Sequence, residues 1–96
     1  WNANYNDEIV YPNPFSKETT IEFSLNEMEK VSVSIYNELG QLVKNLIMGN
    51  PINPGKFQLI WDGTDNAGGD ASNGSYFYSI STSKKVIKSG KIILKR

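Results

Sequence analysis

Asp62, Asp65, Asn66, Asp70 and Asn73 crowd into one short stretch, interleaved with Gly63, Gly68, Gly69 and Gly74. Such hard oxygen donors are the ligands that Ca²⁺ takes in sets of six to eight. Their spacing does not fit an EF-hand, which needs a bidentate glutamate at its twelfth position, and no glutamate follows Glu38. Asp62, Asp65 and Asp70 therefore remain weak calcium candidates. The plainer account is structural, because Asp, Asn and Gly cap turns and tolerate positive φ, so a long connection between strands gathers them in any case. Catalysis by an aspartate pair would need a fixed general acid or base beside it. With no histidine and no cysteine in the chain, the commonest general base and the soft-metal ligands are missing. The expectation is a non-enzyme without a cofactor.

The elements that must position this loop fit one small domain. A chain of 96 residues supports a single core, and an enzyme cleft would compete with that core for material. No run of side chains approaches the length of an apolar membrane span, and none of these 96 residues is expected to form a signal peptide. The chain begins at Trp1 rather than Met, which reads as a piece of a longer protein.

The apolar period is two. Ile21, Phe23 and Leu25 alternate with Thr20, Glu22 and Ser24, and Val31, Val33 and Ile35 alternate with serines. A polar connection, Asn26 to Lys30, joins these two half-buried strands. After a turn at Asn37 to Gly40, a strand is expected over Gln41 to Ile47, ended by Gly49, Pro51, Pro54 and Gly55. The spacing of Leu39, Leu42, Val43, Leu46 and Ile47 also suits a helix, although Gly40 interrupts it. Lys56 to Trp61 and Ser75 to Ser81 follow as strands, with Phe57, Leu59, Trp61 and then Tyr76, Tyr78, Ile80 facing one way. A last strand runs from about Lys85 to Lys95, with Gly90 as its expected bulge. The pattern predicts an all-β fold, an immunoglobulin-like antiparallel β-sandwich of about seven strands.

These residues also carry a resemblance. Trp61-Asp62-Gly63 with Asp65, Gly68 and Gly74-Ser75-Tyr76-Phe77-Tyr78 resembles the W-D-G-x-D-x-x-G…G-x-Y-x-Y pattern of the FlgD-type immunoglobulin-like domain. Tyr11-Pro12-Asn13-Pro14-Phe15, Thr20 to Leu25 and Val33 to Gly40 resemble the series found in type A C-terminal sorting domains of the type IX secretion system. Gly90, Lys91, Ile92, Ile93, Leu94, Lys95 and Arg96 are similar to the tail that closes such domains. The W-D-G stretch is fuller than in many sorting domains, which keeps flagellar-hook and adhesion relatives of the fold in play.

The resemblance implies a domain at residues 11–96 that does no chemistry. It would address a cargo protein, carried upstream in the same chain, to an outer-membrane translocon, and a surface peptidase would then remove it. The cargo would pass through the periplasm to the cell surface or the medium. Residues 1–10, polar and rich in asparagine, read as the linker from that cargo, with processing in or before them. Two prolines limit the backbone of the following segment, and Phe15 is expected to plug the core.

Residues 1–83 hold four basic and ten acidic groups, whereas residues 84–96 hold six basic and none acidic. Lysines on a final strand either guard an exposed edge or steer it towards a negative receptor. The expected recognition segment is Lys91 to Arg96, with Ile92 and Leu94 or Ile93 entering a receptor's pockets by β-augmentation. Truncation of this tail is expected to leave the sandwich mostly folded. Nucleic acid is not an expected partner, since no aromatic follows Tyr78 and the chain is neutral overall. A carbohydrate-binding or adhesion module is the alternative. It has weak support, because the parity of Trp61, Tyr76 and Tyr78 places them in the core, and Tyr36 and Phe77 look like two scattered outward aromatics.

Overall fold

The computed structural model describes residues 10–96. Seven strands follow one another: β1 (Val10–Tyr11), β2 (Thr19–Leu25), β3 (Glu29–Asn37), β4 (Leu42–Ile52), β5 (Gly55–Trp61), β6 (Gly74–Thr82) and β7 (Val86–Leu94). They form a three-stranded sheet in the order β1-β2-β5 and a four-stranded sheet in the order β4-β3-β6-β7, with every named pair antiparallel. This is the immunoglobulin-like sandwich that the alternation predicts. The expected linker lies outside the described residues except for Val10, which pairs with Ile21 and is buried.

The core forms where the inward rows of the two sheets meet. Ile21, Phe23 and Leu25 face Val31, Val33, Ile35, Tyr76, Tyr78, Ile80, Ile92 and Leu94, with Trp61 fully buried at the end of β5. Phe15 does plug the core. Its ring lies 5.4 Å from that of Trp61, and Tyr76 meets Trp61 edge-on at 5.2 Å. Offset and edge contacts of this kind suit the aromatic quadrupole. Thr19, buried among these apolar groups, donates its hydroxyl to the carbonyl of Pro12 at 2.7 Å, so it carries no unpaired polar group into the core.

Two local expectations are corrected. β4 does not stop at Ile47 but runs through Gly49 and Pro51 to Ile52. It is an edge strand, where a proline can lack its N–H without breaking a ladder. Against β3 its register slips three times, leaving Val43, Leu46 and Gly49 as extra residues. Gly49, at φ 69°, supplies the left-handed conformation one such bulge takes. A strand bulged about every third residue brings Val43, Leu46 and Ile47 to the core without strict alternation, which is why this stretch imitates helical spacing.

Gly90 is not a bulge. It pairs in register with Tyr78, and the slip in β7 falls beside Ile87 instead. The reason for glycine here is space, since a Cβ at position 90 would lie 2.7 Å from the Tyr78 ring. Core packing of this kind predicts that Ile92→Ala loses about 2–5 kcal/mol in urea unfolding. The exposed Val86→Ala on the same strand should stay within about 0.5 kcal/mol of the parent.

Candidate functional site

The Asp-rich loop begins where Trp61 ends β5. The buried indole N–H donates to the carbonyl of Thr64 at 2.9 Å, which turns the chain at once. Asp62 accepts from the Thr64 hydroxyl at 2.6 Å and from its backbone N–H at 3.2 Å. The Thr64 hydroxyl is the main cause that holds the Asp62 carboxyl below its ordinary range; backbone N–H groups and the Lys44 charge add to it. Asp65 accepts from the backbone N–H groups of Ala67 at 3.0 Å and Gly69 at 2.9 Å. The loop is docked onto β4: the Asn66 backbone N–H donates to Val43, and the Asn66 side chain accepts from the N–H of Asn45, both at 2.9 Å. Asp62, Asp65 and Asp70 thus each face a different partner. Among the described residues, no three His, Cys, Asp or Glu side chains gather around a common centre.

Arg96 completes the loop from the other side. Its guanidinium donates to the carbonyls of Ala71 at 2.5 Å and Gly63 at 3.1 Å, and its backbone N–H donates to Asn73 Oδ1 at 2.9 Å. Asp70 lies 3.8 Å away as an exposed ion pair, which by itself adds little. Gly63 has φ 79°, and a Cβ there would lie 2.6 Å from the Arg96 guanidinium, so glycine serves both the turn and the approach of Arg96. Tyr76 closes the loop's exit by donating its hydroxyl to the carbonyl of Ser72 at 2.6 Å, in the manner of a tyrosine corner.

The Tyr11 to Phe15 segment clamps the outer edge of β7. Phe15 N–H donates to Ile93 at 2.9 Å, and Lys95 N–H donates to Phe15 at 2.8 Å, making a parallel bridge beside Leu94. Asn13 reaches the same edge with both ends of its amide, donating to Lys91 O and accepting from Ile93 N–H, each at 2.9 Å.

The expected recognition tail is therefore not an open strand. From Lys91 to Lys95 its outer edge already has partners, and Ile92 and Leu94 are core side chains. They cannot enter receptor pockets while the sandwich is intact, and a truncation that removes them removes part of the core. Of the tail, Lys91 and Lys95 are exposed, Ile93 is half-buried and Arg96 is engaged with the loop. The expectation that Trp61, Tyr76 and Tyr78 are core residues agrees with their burial.

Tyr36 and Phe77, by contrast, are not scattered. They are direct cross-strand partners on the two central strands of the four-stranded sheet, near the end of β3, and the row continues to Leu42 on one side and Lys91 on the other. Their outward parity was legible in the chain, but the β3–β6 register that brings them together was not.

The fold defines a class: an immunoglobulin-type sandwich with its last strand and its Asp-rich loop tied into the frame. Within that class, the profile of the FlgD Ig-like domain matches residues 12–85, and the chain belongs to that family. Among solved structures, dimeric latent PorU from Porphyromonas gingivalis is similar over 90% of this chain and 9% of its own, at 24% identity and a TM-score of 0.73. FlgD from P. aeruginosa is similar over 79% of this chain and 58% of its own, at 23% identity and a TM-score of 0.60. At these identities the likeness is one of fold, and the chain spans only part of each neighbour. No curated protein sequence matches it.

Because the Asp62 pKa is lowered in the folded protein, its hydrogen bonds add stability above the unfolded carboxylate pKa, and that stability is lost as pH falls through the folded pKa. Thr64→Val removes the largest cause. An NMR titration of the variant should show the Asp62 carboxyl titrating at higher pH than in the parent, and the stability gap between the two should close in acid.

Proposed function

We propose that this immunoglobulin-like accessory domain is a non-catalytic sorting signal, which directs an attached cargo protein through the type IX system and across the outer membrane. The observation that carries the reading is the convergence of two sorting-type motifs, the Tyr11 to Phe15 segment and the basic tail, on the FlgD-type Trp61-Asp62-Gly63 turn. The Tyr11-Pro12-Asn13-Pro14-Phe15 segment clamps β7, β7 carries the basic tail, and the Trp61-Asp62-Gly63 turn receives Arg96. Three motifs far apart in sequence thus build one end of the molecule. A physical address that must survive passage and be read as a unit calls for that kind of mutual fixing. The likeness to PorU over nearly the whole chain supports the same reading.

The domain acts here as cargo label rather than catalyst. Its partners are an outer-membrane translocon, a surface peptidase that removes it and the upstream cargo, and its destination is the cell surface or the medium. A FlgD-like structural accessory role is the second reading, favoured by the family match over residues 12–85, which stops short of β7.

The two readings separate in one experiment. A fluorescent reporter with an inner-membrane signal peptide and this chain at its C-terminus should leave a bacterium with an intact type IX system. In a translocon-deficient strain it should stay in the periplasm. Periplasmic retention of a folded domain in both strains would overturn the sorting role and leave the accessory one.

A further inference from the structure

We infer that the outer face of the four-stranded sheet is a docking surface for an acidic protein segment, anchored on the Tyr36–Phe77 pair. The inference rests on the sorting reading and names where the machinery would hold the domain.

The face is built from cross-strand rows. Leu42, Tyr36, Phe77 and Lys91 stand side by side across all four strands, and the next row holds Asn45, Ser34, Ser79 and Ser89. Phe77 is 41% exposed, Leu42 49% and Leu39, in the turn beside them, 82%. Ile93 shares the outward parity of Lys91 next to Phe77 and is half-buried. The aromatic row therefore stands above a floor of short hydroxyl and amide side chains, which lets a partner's backbone come close. An apolar, aromatic centre rimmed by small polar groups is the layout in which a few side chains carry most of the binding energy.

Charge selects the partner. Across β3, β4, β6 and β7 the only carboxylate is Glu29, at the end of β3 and on the inward parity of Val31. The outward positions offer Lys30 at one corner and Lys91 at the opposite side, with Lys95 just beyond β7. Such a face attracts acidic groups on its β7 side, away from Glu38, which is exposed beside Leu39 in the turn between β3 and β4. The cations lie at its margins and its centre is neutral, whereas a nucleic-acid strand would need cations tracking its backbone across the aromatic row. The fit is to a protein segment that seats an apolar side chain on Tyr36 and Phe77 and sets carboxylates near Lys91 and Lys95.

The reporter export assay tests this with the full chain. Tyr36→Ser combined with Phe77→Ser should reduce system-dependent export at least tenfold, and so should Lys91→Glu, while Lys91→Arg keeps it. Ile60→Ser, at an exposed apolar position on the other sheet, should leave export unchanged. Urea unfolding of each purified chain shows whether it remains cooperative and folded; Lys91→Glu, on an exposed side chain, keeps the test valid if the serine pair disturbs the sheet. A photoreactive phenylalanine analogue at position 77, and not at position 60, should crosslink to a protein of the translocon.

Undiminished export by folded Tyr36→Ser/Phe77→Ser and Lys91→Glu variants would overturn the surface while the sorting role stands. A parent chain that is not exported would overturn both. Phe77-dependent binding of the purified domain to a single-stranded oligonucleotide, without a protein crosslink, would overturn the assignment to protein.

Discussion

The outer edge of the last strand is held by the segment that opens the fold. Phe15 bonds to the strand through its N–H and its carbonyl, and Asn13 bonds to the same edge through both ends of its amide. Backbone groups at a sheet edge otherwise stay open to water or to another chain, and filling them removes a route to unwanted pairing. The same contact passes chain from the β1 side of one sheet to the free edge of the other. It seats Phe15 on Trp61, keeps Ile92 and Leu94 in the core and delivers Arg96 to the Gly63 carbonyl. Strand, loop and clamp hold one another.

This has a consequence for how such a domain is recognised. A receptor that added a strand beside Lys91 to Lys95 would first have to displace Asn13 and Phe15. The remaining edge of β7, Val86 to Gly90, carries Lys88, whose pairing with Ile80 puts it on the core side of the sheet while it stays exposed. An inward-pointing lysine on an edge strand is a guard against pairing. Recognition through sheet faces is then physically easier than through this edge, and the two faces differ in kind. On the three-stranded sheet Glu22 accepts from Tyr11 and Gln58, which holds its carboxyl below the ordinary range. The four-stranded sheet offers hydroxyls, aromatics and lysines.

Where the alternation is strict, in β2, β3, β5 and β6, the chain states its own faces, and the buried side chains are those it names. The plug at Phe15 and the core Trp61 were legible for the same reason: large aromatics flanked by turn residues have few other places to go. What depends on register was hidden. The slips between β3 and β4 let a strand look helical from Leu42 to Ile47, and the glycine at 90 gives no hint that the Tyr78 ring lies over it. The aspartates of the loop announced hard oxygen chemistry, yet Asp62 and Asp65 accept from N–H and hydroxyl groups two to four residues away, a local use that composition cannot distinguish from a metal site. The basic tail was read as a free strand because the partner of its edge lies some eighty residues earlier.

Amide hydrogen exchange measures the clamp directly. If the last strand is fixed as described, the N–H groups of Phe15, Ile93 and Lys95 exchange only through openings nearly as costly as global unfolding, with protection like that of β3 and β6. Rapid exchange at these three amides while β3 and β6 stay protected would mean that the tail is an open strand after all, and would contradict the account.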